Sequence, residues 1–243
     1  MDFLKILKSF EEFVYEALTW LVLVPRTLYR ILLSPGRMSD YASEQLSSES
    51  DNRFSEALSP PLLLILCVLL SHFFDLGIRD PVPVAEGSLE TMLLSSEQNL
   101  LLYRTVAFGV WSLVGAFYLL ARTGVPVNRE TLRVPLYEQC YLVAPFALLV
   151  SMGLSLLLLE AHWATVAGTV VSMVATLWFW LAQIVWLRRR AGFPVWRSVV
   201  AATVVLLVGS LVNALVGHVV SKSPGVPAAP VPASESPGAG TAT

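Results

Sequence analysis

Five stretches of the chain, residues 60–78, 100–121, 140–159, 162–187 and 199–220, are nearly unbroken runs of apolar side chains. A helix needs roughly 20 such residues to cross the hydrocarbon core of a bilayer. Composition points the same way: with 55% hydrophobic and 14% charged residues over 243 positions, the chain carries more apolar surface than a soluble domain of this length hides. The expected fold class is an all-α membrane protein of five transmembrane helices, preceded by an N-terminal amphipathic interfacial helix.

Charge between the runs sets the orientation. Lys5, Lys8, Arg26, Arg30, Arg37 and Arg53 precede the first run. Arg122, Arg129 and Arg133 separate the second from the third, and Arg188, Arg189, Arg190 and Arg197 the fourth from the fifth. The opposite side receives only Arg79, Arg104 and Lys222. Positive-inside bias therefore predicts a cytoplasmic N-terminus and an extracytoplasmic C-terminus, in agreement with five crossings. The net charge of −2 and the absence of a broad basic face with interleaved aromatics argue against nucleic-acid binding.

Ahead of the first run, in residues 1–33, Phe3, Leu4, Ile6, Leu7, Phe10, Phe13, Val14, Ala17, Leu21 and Val24 recur at helical spacing, with Lys5, Lys8, Glu11, Glu12 and Glu16 opposite them. This pattern predicts a helix lying in the cytoplasmic interface. A sixth span competes with that reading, but Glu16, Pro25, Arg26 and Arg30 leave only a short uncharged stretch between them. Acids among the lysines, and no small-residue cleavage site after a short apolar core, argue against a cleaved signal peptide. Residues 34–59 read as a polar cytoplasmic linker or short surface helix. Residues 60–220 form the transmembrane domain, and 221–243, rich in Pro, Ala, Ser and Gly, read as a disordered tail.

Helices associate in lipid through close backbone approach and a few polar contacts. Ala164, Gly168, Ser172 and Thr176 recur every fourth residue in the fourth run, Gly209, Asn213 and Gly217 in the fifth, and Ala147, Ser151 and Ser155 in the third. These stripes predict that the last three spans pack tightly. Gln183 and Asn213 are amides that lipid leaves unsatisfied, so both are expected to face helix neighbours.

No phosphate-binding loop, dinucleotide fingerprint, HExxH or GxSxG pattern occurs in the chain. The two cysteines, Cys67 and Cys140, make no CxxC knuckle. His72 and Asp75 close the first run, Glu160 and His162 join the third to the fourth, and His218 lies near the end of the fifth. Under the topology above all five meet the extracytoplasmic face, where two histidines and a carboxylate suffice for zinc if the helices converge. No pair has the i, i+4 His–His spacing that one helix uses to present two ligands. Solvation at span ends explains the same residues: Glu160 stands just before the fourth span, at the positive end of its dipole. Asp75, in the last turn of its helix, opposes the dipole, and His72 one turn earlier is expected to offset this by pairing with it. No span carries a charge at its centre, which counts against an ion-coupled pump.

The third run begins "YEQCYLVAPFALLVSMG", in which Tyr141 and Pro145 enter the span as Y-x-x-x-P with Cys140 ahead of them. The segment "LYRILLSPGRMSDYASEQ" carries Pro35 and Arg37 as P-x-R before the first span. In these features and in its span count the chain resembles the Yip family of Ypt/Rab-interacting membrane proteins and their bacterial relatives. In that family glycine is common where Cys140 stands. The resemblance extends over about 31–220 and leaves out the N-terminal helix and the tail. It implies an integral membrane scaffold or adaptor with protein partners, no catalytic residues and no cofactor, and for a bacterial-type member an inner-membrane location.

The expected function is thus a non-enzymatic, Yip-like scaffold, self-associating or bound to protein partners, whose arginine-rich loops meet anionic lipid headgroups. The alternatives are a small transporter, permease or channel with a path along Gln183, Asn213 and the small-residue stripes, and a metal-binding membrane protein with its site at the outer face.

Overall fold

The computed structural model describes residues 3–48, 53–78 and 97–222, with side-chain surroundings over 8–48, 53–78 and 100–215. The connection 79–96 and the tail 223–243 lie outside the described residues. Seven helices and no strand are found among those described: α1 (Phe3–Leu33), α2 (Pro35–Ser47), α3 (Pro60–Ile78), α4 (Glu97–Thr123), α5 (Arg129–Leu157), α6 (His162–Ala191) and α7 (Val195–Lys222). From α3 to α7, five helices are long and apolar enough to span a membrane, which makes this a multi-pass membrane protein.

The central helix is α5. Every residue from Glu138 to Ala147 on it is buried, and a helix buried all round has protein neighbours on all sides. It packs against α1, α2, α3, α4 and α6, and α7 closes the bundle against α4 and α6. Between them Trp111 of α4, Phe146 of α5 and Phe179 of α6 fill the interior. Phe146 and Phe179 stack at 4.5 Å, with Trp111 edge-on to both at 5.3 and 5.6 Å. Gly209 of α7 lies against Trp111, whose ring carbon stands 2.6 Å from where a Cβ would be.

Helix α5 starts eleven residues before the expected span, at Arg129. Asn128 caps it: its Oδ1 accepts from the amides of Glu130 and Thr131, both at 2.9 Å, and Thr131 Oγ1 accepts in return from the Asn128 amide at 3.0 Å. That reciprocal capping lets Arg129 and Arg133 ride on the first turns of the helix, where the sequence reading had a loop. The helix runs on through Pro135 and Pro145.

Of the two readings of residues 34–59, linker or short surface helix, a helix is found over Pro35–Ser47, packed on the bundle. Helix α2 turns 120° from α1 at Ser34, with Pro35 in its first turn, where a missing N–H is harmless. It then lies against α5 and α6. The following segment returns over the start of α5, where the Leu58 carbonyl accepts from the Tyr141 hydroxyl at 2.6 Å. The C-terminal part of α1 joins this assembly through Trp20, Leu23, Val24, Leu28 and Ile31. Farther from the bundle, Phe10, Phe13, Leu18, Leu21 and Val22 are exposed, so α1 carries an uncovered apolar surface.

Of the expected stripes, that of α6 makes a close contact with α5 at Gly153, a residue outside the expected α5 stripe of Ala147, Ser151 and Ser155. A Cβ on Gly168 would stand 2.6 Å from the Gly153 carbonyl oxygen, and one on Gly153 would strike Ser172. Gly168→Ala should therefore lower the melting point of the detergent-solubilised protein by an amount equivalent to about 1–3 kcal/mol. Gly109→Ala, with open space around it, should leave melting unchanged or slightly raised. Equal melting of the two variants would remove this contact as a determinant of the fold.

Candidate functional site

Two polar clusters occupy opposite ends of α5. The first lies at the basic end. Glu138 is 1% exposed, and its Oε2 accepts from Trp186 Nε1 at 2.7 Å and Arg190 Nε at 2.9 Å. Its Oε1 pairs with Arg190 Nη2. The same guanidinium group reaches the Ser39 carbonyl of α2 at 3.3 Å and lies 3.8 Å from Asp40. Asp40 in turn accepts from Arg189 Nη1 at 2.6 Å. Gly36, one turn earlier on α2, admits the Arg189 side chain, since a Cβ there would meet its Nε at 2.5 Å. Two carboxylates from two helices thus hold two consecutive arginines of α6, and α2 is clamped across the helix ends.

One layer deeper, Gln139 and Gln183 are both fully buried and exchange amide hydrogen bonds at 3.1 and 2.7 Å. Each satisfies in the other what lipid cannot supply. Gln183 faces its neighbour as its residue type required. Asn213 instead donates to the Gly209 carbonyl of its own helix at 3.1 Å.

At the other end Asp75 of α3, 2% exposed, accepts from Arg104 Nη2 of α4 at 2.9 Å and from Ser155 Oγ of α5 at 2.6 Å. A carboxylate, a guanidinium and a hydroxyl tie three helices together. His72 is buried one turn earlier on α3, and Arg104 brings a charge to Asp75 from α4. Glu160 and His162 are exposed in and beside the short connection between α5 and α6, together with Trp163. Among the described residues, no three His, Cys, Asp or Glu side chains group to hold a metal. The surroundings of Gly217 and His218 lie outside the described residues.

Arg104 as the partner of Asp75, and the set Ser39, Asp40, Glu138, Trp186 and Arg190, were not foreseen from the sequence. For the first pair a signal existed, because a carboxylate and a guanidinium within spans at the same end must find each other. Tyr141 and Pro145 are both fully within the buried stretch of α5, Tyr141 as the anchor for Leu58. Chemically, both clusters are arrangements of complementary charge. No family model, curated protein or solved structure matches the chain.

Removing one partner of a buried ion pair strands the other charge, which costs about 3–5 kcal/mol. Arg104→Ala and Asp75→Ala should each destabilise the solubilised protein by that order, and the double variant by less than the sum. Additive losses in thermal or denaturant unfolding would show that the pair is not coupled. For the amides, Gln139→Leu alone should destabilise more than the Gln139→Leu, Gln183→Leu double variant, which leaves no unsatisfied group.

Proposed function

We propose that the chain is an integral membrane scaffold or adaptor of Yip-like type, without catalytic activity, whose basic end is cytoplasmic. The observation that carries this reading is the clamping of α2. A stretch of polar composition is fastened to the bundle by Asp40, which meets Arg189 and Arg190, and by the Ser39 carbonyl, which accepts from Arg190, leaving Arg37 and Glu44 exposed on its outer side. A chain that needed only a tether there would not need three charges to hold it. What it gains is a fixed polar platform, continuous with α1, on which a protein partner or a second copy can dock.

The orientation is supported by residue usage at the basic end. Arg122 lies over Tyr118 at 5.5 Å, Arg133 over Tyr137 at 6.0 Å and Arg197 over Trp196 at 5.2 Å. All three pairs sit at the same end of the bundle. Aromatic rings at headgroup level with arginines beside them are what an interfacial belt on the positive side contains. By the resemblance to bacterial-type members, the membrane is a bacterial inner membrane.

A transporter path along Gln183 and Asn213 finds less support. Gln183 is locked amide to amide with Gln139, Asn213 bonds its own helix, and aromatic rings fill the space between α4, α5 and α6. Photo-crosslinking from positions 37 and 44 in cells should trap a discrete partner, and Asp40→Ala with Arg189→Ala should abolish it by releasing α2. Proteoliposomes carrying the chain should be no more permeable to ions and small osmolytes than empty vesicles. A protein-dependent flux lost in Gln183→Leu, Asn213→Leu would replace the scaffold with a transporter. Single cysteines at Glu160 and Val195 should label from opposite sides of the membrane, and labelling of both from one side would overturn the orientation.

A further inference from the structure

At the basic end, Val185, Arg188, Arg189, Gly192 and Phe193 line a cleft of about 470 Å³ that shares only Arg189 with the polar cluster there. Charges around it are unequally matched. Arg189 is held by Asp40 at 2.6 Å and Arg190 by Glu138, whereas Arg188 is exposed and makes no hydrogen bond or ion pair among the described residues. The cleft therefore carries an unneutralised guanidinium group.

Below it, on the same helix, Met173, Leu177, Leu181 and Val185 follow one another at four-residue spacing, and all four are exposed. Side chains four apart on a helix form one continuous row, here an apolar lane that leads from mid-membrane to the cleft. The depth of the cleft is marked by Trp196, which is exposed a few residues on with Arg197 against its ring. An exposed tryptophan next to an arginine belongs at the headgroup level.

We propose that this cleft seats the phosphate of an anionic phospholipid, with Arg188 as its main charge contact, Arg189 flanking it, and one acyl chain lying along Leu181, Leu177 and Met173. The combination is specific to a lipid. A phosphate group alone needs the guanidinium group but not the lane, and an acyl chain alone needs the lane but not the charge. Arginine suits the role because its planar fork meets phosphate oxygens in pairs. Association gains further from the negative surface of the leaflet that faces the basic end. The inference rests on the reading of that end as interfacial and not on the scaffold role.

The test is native mass spectrometry of the full-length protein titrated with phosphatidylglycerol or phosphatidylcholine, with inorganic phosphate as a competitor. The wild type should retain one phosphatidylglycerol several-fold better than phosphatidylcholine. Arg188→Ala should lose that preference several-fold while melting as the wild type does, since Arg188 bonds to nothing among the described residues. Arg122→Ala, at another exposed arginine of the same end, should retain it. Equal retention by the wild type and Arg188→Ala, or of the two lipids by the wild type, overturns the site. Release of phosphatidylglycerol by millimolar inorganic phosphate overturns a lipid as the occupant. The cysteine labelling at Glu160 and Val195 reads the orientation separately, so a failed topology and a failed lipid site give different results.

Discussion

Lipid offers a polar side chain nothing to bond, and the arrangement of this bundle follows from where its central helix carries polar groups. On α5, Glu138, Gln139, Tyr141 and Ser155 are all buried, and each is answered from outside the helix. Glu138 meets Arg190 and Trp186, Gln139 meets Gln183, Tyr141 meets the Leu58 carbonyl, and Ser155 meets Asp75. Because α6 supplies the first two answers at neighbouring levels, its rotation against α5 is fixed. At the far end of the same interface the backbones approach at Gly153 and Gly168, where small residues permit dispersion contacts without polar help. One side of α5 is thus held by hydrogen bonds at the basic end and by close packing at the other.

The charged contacts at the two ends do different jobs. Asp75, Arg104 and Ser155 join helices that are already neighbours in the bundle, α3, α4 and α5. Satisfying a carboxylate with a guanidinium group from the next helix adds little net stability by itself, but it makes any other register of those helices expensive, because it would strand a charge. At the basic end the partners include α2, which has no apolar span to hold it in place. There the ion pairs attach an element that the hydrophobic effect alone would leave loose.

This difference explains what was legible in the sequence. The five spans were readable because lipid demands long apolar runs, and the charge bias was readable because it is carried by residue type. The docking of helix α2 was not, and the reason is in its buried side. Gly36, Ser39 and Ala42 face the bundle with only Met38 as a large apolar residue, so close packing by small residues left no hydrophobic periodicity to see. The start of α5 was missed because Arg129, Glu130 and Arg133 disguise a well-capped helix as a loop. Gln183 meets Gln139 as expected, since an amide within a span has few alternatives. Asn213 bonds within its own helix, because a short side chain can reach the carbonyl one turn back. The coupling of Asp75 to Arg104 joins residues 29 positions apart, across a connection whose length says nothing about which side chains meet.

The run Arg188, Arg189 and Arg190 shows how far helix geometry goes beyond charge counting. As a sequence feature it is a block of three equal charges. On a helix, consecutive residues point about 100° apart, so the three cannot share a fate. Arg190 turns inward to Glu138, Arg189 turns along the helix end to Asp40 on α2, and Arg188 is left facing outward beside Val185 and Phe193. The first arginine secures the core, the second secures the platform, and the third is the one whose charge is still available to the membrane. A lysine at position 190 would keep the charge but lose the fork that reaches Glu138 and the Ser39 carbonyl together. Three consecutive residues of one charge thus take three different surroundings because they point in different directions in space.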